Sequence, residues 1–422
     1  MKTIIKNGNV FIKGNFEVKD IVVENEKITK IGKNLKTNAD KVIDAVDKHI
    51  LPGFVDLHVH LRDPGQTHKE DIVSGTKAAA KGGFTTICAM PNTKPVIDNV
   101  ATMDYIKRKA KDLGSCKVEI IGALTKKSEG KELAEIGSMF DHGVIAVSDD
   151  GHCVQNSKLM LNALKYVSNF NIPVIIHAED YSLAGSGQIN GGRMSTKLGL
   201  SGISGLSEEI IIARDIMLSE SAKCKIHIAH ISTKKGVELV RNAKKKGLNV
   251  TAEVTPHHLL LNDELTATFD PNTKMKPPLR SEKDRLACIE GIKDGTIDFI
   301  ATDHAPHADF EKAREFSYAP FGIIGLETAF ATLYEKLVLA DIISLEKLVE
   351  LLAVNSGKFI NKEKDLIENA DANFNIVDLK SKVKFVEDSL ASKAKNTPFI
   401  EQEFYGKIEY TFCEGKITWE AK

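Results

Sequence analysis

Eight short apolar runs recur between residues 53 and 307, and amphipathic segments separate most of them. The runs are GFVDLHVH, TTICAMP, KVEIIGAL, GVIAVSDDG, PVIIHAED, CKIHIAHIS, NVTAEVTPHH and IDFIATDHAPH. Short runs of this kind read as strands buried on both faces. The stretch EEIIIARDIMLSE (208–220) places apolar residues three and four apart, the spacing of a helix. KKGVELVRNAKKKG (234–247) does the same and ends in Gly247, a C-terminal helix cap. Strands alternating with helices predict a parallel sheet. Eight repeats predict a closed (β/α)8 TIM barrel, with a doubly wound sheet as the alternative.

The two ends of the chain have another rhythm. TIIKNGNVFI, FEVKDIVVENEKITKIG and KVIDAVDKHI alternate like strands, and Asn7-Gly8 and Glu24–Lys27 look like hairpin turns. ANFNIVDLKSKVKFV and GKIEYTFCEGKITWE return to that style near the other end. One small β-sandwich domain built from both termini is expected, residues 1–51 with 370–422, around a barrel of residues 52–369. The Gly- and Ser-rich stretch 183–205 lacks the spacing of a phosphate loop and is expected to be a long mobile loop.

Composition narrows the function classes. With 57 Lys and Arg against 58 Asp and Glu, the net charge is −1, so no basic excess points to nucleic acid or to an anionic membrane. A hydrophobic content of 42% supports a sizeable core, and no run reaches the length of a membrane span. The six cysteines are scattered with no C-x-x-C pair, as in a cytoplasmic protein with reduced thiols, and the N-terminus shows no export signal.

The chemistry lies where the runs end. His58 and His60 close the first, Asp149 and Asp150 the fourth; His177 lies in the fifth, His230 in the sixth and Asp303 in the eighth. Residues i and i+2 of a strand share a face, so His58 and His60 can point at one spot. In a barrel the C-terminal strand ends converge on one rim, where active sites sit. A single histidine or strand-end aspartate is often a packed or capping residue, but that reading must then cover four imidazoles and two carboxylates at once, even with one of Asp149 and Asp150 set aside. Four imidazoles with carboxylates and no thiolate favour Zn²⁺, with Mn, Fe or Co as substitutes. Six ligands exceed the three that a single catalytic zinc takes, and two ions sharing an anionic bridge fit the number. Such a pair serves attack of hydroxide on a polarised carbonyl, or the reverse.

Taken together, DLHVHLRDPG (56–65), AMPNTKP (89–95), VSDDG (147–151), IHAED (176–180), AHIS (229–232), TPHHL (255–259), PPLR (277–280) and ATDHAPHADFEK (301–312) resemble the dihydroorotase family of the amidohydrolase superfamily, in its larger bacterial type. The resemblance implies reversible cyclisation of N-carbamoyl-L-aspartate to L-dihydroorotate and water, a step of de novo pyrimidine biosynthesis. It implies that His58, His60 and Asp303 hold one zinc, that His177 and His230 hold the second, and that Asp150 bridges them, with Asp149 the rival. Relatives that bridge through a carbamylated lysine differ here, because VSDDG offers no lysine. Asp303 is implied as general acid–base, Arg62, Asn92 and His307 as the clamp on the substrate carboxylate, and Phe321 and Gly322 as backbone contacts to the ring. Residues 308–320 are expected in a lid. Lys276 stands where bacterial relatives commonly carry asparagine, and is expected to bear on substrate binding through its main chain or as an added cation. His227, His257 and His258 are expected behind the ligands. A homodimer is expected from the general preference for two-fold assembly, and association with aspartate transcarbamoylase is the further partner the family suggests. The alternatives are another cyclic-amide hydrolase (dihydropyrimidinase, hydantoinase or allantoinase) and an inactive scaffold for the transcarbamoylase.

Overall fold

A computed structural model describes residues 2–362 and 365–421; Met1 and Lys422 of the expected terminal domain, and Glu363 and Lys364 of the expected barrel, lie outside the described residues. The first strands are β1 (Lys2–Ile12), β2 (Asn15–Glu24), β3 (Lys27–Gly32), β4 (Lys41–Asp44) and β5 (His49–Pro52). There follow β6 (Phe54–Val59), β7 (Phe84–Ala89), β8 (Lys117–Ala123), β9 (Ala146–Ser148), β10 (Val174–Ile176), β11 (Ile189–Asn190), β12 (Gly202–Ile203), β13 (Ile226–Ile228), β14 (Val250–Val254) and β15 (Phe299–Ile300). The chain ends with β16 (Phe374–Lys384), β17 (Glu403–Cys413) and β18 (Lys416–Glu420).

β6–β10 and β13–β15 are the eight apolar runs, paired in parallel in the order β15-β14-β13-β10-β9-β8-β7-β6. The ends of this sheet meet. Val59 bridges His304, and the His60 amide donates to the His304 carbonyl at 2.9 Å. Asp56 fastens the seam from inside, where its carboxylate accepts from the Thr302 amide (3.1 Å) and the Thr302 hydroxyl (2.5 Å). Burial raises the Asp56 carboxyl to about 6 against these hydrogen bonds. The expected helices are present as Gly205–Ala222 and Lys234–Lys245, capped at their starts by the Ser204 and Thr233 side chains. Gly247 follows the second at φ +75°.

The two chain ends join in one hydrogen-bonded sheet, β18-β17-β16-β5-β1-β2-β3, with β4 also paired to β1. Ile5, Ile21, Ile28, Ile50, Phe374 and Phe412 fill its core. One expectation fails here. Asn7-Gly8 is a bulge within β1, where the pairing with β2 jumps from Ile5↔Ile21 to Gly8↔Lys19. The Asp20 carboxylate accepts from the Asn7 amide at 2.9 Å and holds Asn7 at φ +61°. A side chain on Gly8 would meet the Ile50 side chain at 2.4 Å, so close packing, not a turn, demands the glycine. The turn falls at Lys13-Gly14 instead.

Residues 183–205 also differ from an irregular loop. They form the β11–β12 pair and the helix Arg193–Leu198. Ile189 and Met194 pack on Phe316, and Asn190 donates to Asp263 at 2.8 Å.

Candidate metal centre

Every expected ligand reaches one point at the C-terminal end of the barrel. His58 comes from β6 and His60 follows it; Asp150 follows β9, His177 follows β10, His230 follows β13 and Asp303 follows β15. All six are buried. His230 (φ +33°) and Asp303 (φ +48°) adopt positive φ, as does Arg62 (φ +58°), a conformation that side chains disfavour and that folds retain where a site requires it.

Asp150 lies at the centre. Its Oδ1 is 3.2 Å from His58 Nε2, 3.6 Å from His177 Nδ1 and 3.7 Å from His230 Nε2; its Oδ2 is 3.4 Å from His60 Nε2. Asp303 Oδ1 lies 3.1 Å from His60 Nε2 and 3.5 Å from His58 Nε2. Asp149 points elsewhere. It accepts from the Leu124 and Thr125 amides, both at 2.9 Å, and from the Thr125 hydroxyl, tying the fourth strand end to the third.

Two sets of donors each close to within 4.8 Å: His58, His60 and Asp150, and Asp150, His177 and His230. His58 Nε2 and Asp150 Oδ1 are buried in contact, yet neither has a hydrogen-bond partner. Buried polar atoms are ordinarily paired. His177 Nδ1 and His230 Nε2 lie 2.9 Å apart and His60 Nε2 lies 3.1 Å from Asp303 Oδ1, so the ring nitrogens meet only one another and carboxylates. Imidazole nitrogens gathered on a shared buried carboxylate are the donor set of a cation site, so these residues fit bound metal. The electrostatics agree. Against the burial that would raise it, the surrounding imidazoles hold the Asp150 carboxyl well below its ordinary range, and the Asp303 carboxyl is also lowered. Burial lowers His58, but Asp150 and Asp303 outweigh it and raise its basicity well above normal.

The expected carboxylate clamp is arranged less simply. Arg62 donates Nε to the Pro306 carbonyl at 3.2 Å, and burial lowers its guanidinium to about 10. Asn92 Oδ1 accepts from His60 Nδ1 at 2.8 Å, so the amide orients the His60 ring. His307 Nε2 donates to the Phe321 carbonyl at 2.8 Å, which fixes the Phe321-Gly322 backbone. Burial, with Arg62 and Lys69 nearby, lowers His307 to about 3, so it is a neutral donor at physiological pH. Lys276 Nζ pairs with Glu179 at 2.8 Å and lies 5.4 Å over the Phe321 ring. In the segment expected to be a lid, Lys312 donates to the Pro320 carbonyl at 2.9 Å, and Lys274 from outside it donates to the Phe316 carbonyl at 2.8 Å.

Three residues escaped the sequence reading: Asp56 at the seam, Glu179 opposite Lys276, and Glu253. Glu253 Oε1 lies 2.7 Å from His58 Nδ1 and its Oε2 3.0 Å from His227 Nε2. The available signal was a charged residue inside each apolar run. His258 spans the Thr255 hydroxyl (2.8 Å) and the Pro277 carbonyl (3.1 Å), a packing role. His257 is buried beside it, their ring centroids 4.6 Å apart.

Comparison with known proteins shows what the chain as a whole resembles. A family model described as dihydro-orotase-like matches residues 47–236. The chain is 46% identical over 419 residues to a dihydroorotase of Caldicellulosiruptor saccharolyticus, covering 98% of this chain and 97% of that one. It is 47% identical over 426 residues to a dihydroorotase of Elusimicrobium minutum, covering 100% and 98%. Among solved structures, an L-hydantoinase (dihydropyrimidinase) from Arthrobacter aurescens superposes with a TM-score of 0.89 at 24% identity, covering 99% of this chain and 96% of that one. A dihydropyrimidinase from Brevibacillus agri gives 0.87 at 20% identity, covering 100% and 95%.

Proposed function

The chain belongs to the dihydroorotase family of the amidohydrolase superfamily, and on that premise we propose that its buried centre takes two zinc ions and interconverts N-carbamoyl-L-aspartate with L-dihydroorotate and water. The carrying observation is the one carboxylate common to both donor sets: Asp150 belongs with His58 and His60 and equally with His177 and His230. His58, His60 and Asp303 would hold one ion, His177 and His230 the other, and Asp150 both. Bound there, the ions would polarise the ring carbonyl and make water acidic enough to attack it near neutral pH.

The protein's own groups do the rest. Asp303 takes the proton of the attacking water and hands it to the departing ring nitrogen, and the order reverses in ring closure. Arg62 presents its planar fork to the substrate carboxylate. Asn92 supports that end through His60 and its remaining amide hydrogens. His307, neutral and proton-bearing at Nε2, exchanges the Phe321 carbonyl for the carboxylate or holds Phe321 and Gly322 against the ring. Lys276, paired with Glu179, adds a cation over the Phe321 ring.

The rival reading, a hydantoinase or dihydropyrimidinase, draws on structural likeness at 20–24% identity, which speaks for the fold alone. The inactive scaffold is opposed by the complete donor set. No helix among the described residues is long and apolar enough to cross a membrane, and we place the enzyme in the cytoplasm, as a homodimer able to associate with aspartate transcarbamoylase. We divide the chain into a composite terminal domain of 1–51 and 370–422 and a barrel of 52–369. Turnover of zinc-loaded protein on L-dihydroorotate, dihydrouracil, hydantoin and allantoin in parallel tests the substrate assignment. Activity confined to dihydroorotate is expected, and activity on the rings without a carboxylate would overturn it.

A further inference from the structure

Glu253 lies within the barrel wall on β14, wholly buried, and both its oxygens are engaged. A carboxylate only accepts, so His58 must carry its proton on Nδ1, facing Glu253 at 2.7 Å. The nitrogen left to give a lone pair to a metal is then Nε2, on the side of Asp150. The same logic runs the other way. His227 donates from Nε2 to Glu253 at 3.0 Å, so its Nδ1 accepts from the Thr251 hydroxyl at 2.9 Å. The His230 amide also points at Glu253 Oε1, at 3.4 Å. One buried carboxylate therefore sets the tautomer of a ligand in the first donor set and touches only the main chain of a ligand in the second.

We propose that Glu253 is a positioning residue for the first metal site, through His58 and not through the fold as a whole. Held by a carboxylate, the His58 ring keeps its orientation, its free lone pair and a raised basicity, which together strengthen it as a ligand. No equivalent carboxylate partner lies behind His177 or His230 among the described residues; His230 Nδ1 is buried without a hydrogen-bond partner. The two sites should thus respond unequally to loss of the Glu253 charge. The inference rests on the two-ion reading above but is read out without turnover.

The test is titration of metal-free protein with Zn²⁺ against a chromophoric chelator, with metal content by mass spectrometry. Glu253→Gln removes the charge and keeps the shape. The expected result is two tight sites in the unmodified protein, and in the variant one site weakened roughly 10–100-fold while the other is unchanged. Two unchanged sites, or equal weakening of both, would overturn the proposal. Should Glu253→Gln fail to fold, Glu253→Asp retains the buried charge but withdraws it from His58 by one methylene. The same one-sided weakening, smaller in size, supports the inference, and its absence overturns it. An unmodified protein that binds no zinc would instead overturn the two-ion reading itself.

Discussion

Replacing Gly65 by alanine should separate the two loops that carry the substrate-binding end of the site. Gly65 lies at φ +91°, and the Pro64 carbonyl accepts from the Lys94 amide at 3.0 Å, so the loop after β6 rests on the loop after β7. A methyl group on Gly65 would sit 1.9 Å from the Lys94 carbonyl oxygen and 2.6 Å from its Cβ. Backbone cannot yield as a side chain does, so the loops must part by about 1.5 Å to regain contact distance. The positive φ alone costs an alanine about 1–2 kcal/mol. The larger effect is on geometry. The first loop carries Arg62 and the second Asn92, which holds the His60 ring at 2.8 Å. A displacement near 1 Å in positioning groups can cost about 10²-fold in rate, so kcat/KM for L-dihydroorotate should fall about 100-fold in Gly65→Ala. At least one zinc ion per chain should remain, because the donor set of Asp150, His177 and His230 lies outside this joint. Steady-state kinetics beside metal analysis of the same preparation is the assay. A variant retaining kcat/KM within threefold, or losing both ions, would refute the reasoning.

Three further outcomes are expected. Arg62→Lys keeps the charge but loses the fork, and should raise KM for L-dihydroorotate roughly 10–100-fold with little change in kcat; a change in kcat alone would count against the clamp. Asp303→Asn should lower kcat by about 10²–10⁴-fold, the usual worth of a placed acid–base, and near-normal turnover would remove Asp303 from the proton path. N-carbamoyl-L-aspartate carries two carboxylates and L-dihydroorotate one, so ring closure consumes a proton. The equilibrium ratio of cyclic to open form should fall about tenfold per unit rise in pH between about 6 and 8, and a ratio independent of pH, followed by chromatography of both species, would sink that stoichiometry.

The barrel was legible because its strands are buried on both faces and so read as short apolar runs, each of which became a strand. Imidazoles at strand ends stood out for the same reason, since an imidazole closing such a run has nothing to do in a core, and the fold brings them together around Asp150. What could not be read was pairing between distant parts of the chain. Glu253 looks like any polar residue in NVTAEV until β13 and β6 bring His227 and His58 to its two oxygens. Asp149 and Asp150 are adjacent and chemically identical; only the strand end fixes that one caps Thr125 and the other faces the imidazoles. Asn7-Gly8 has the composition of a hairpin turn, but the turn is made six residues later because Gly8 must pass under Ile50. Nor does the sequence show that Arg62, Asn92 and His307, the expected carboxylate clamp, each spend a hydrogen bond on a neighbour: Pro306, His60 and Phe321 in turn.

The central claim is that Asp150 joins two metal ions in one site. It is tested most directly by the zinc-to-protein ratio of reconstituted protein and of Asp150→Asn, measured by mass spectrometry after removal of loosely held metal. Two zinc ions per chain are predicted, with both sites weakened together in the variant because each loses the same ligand. A single ion per chain, or a variant that loses one ion and holds the other unchanged, would contradict it.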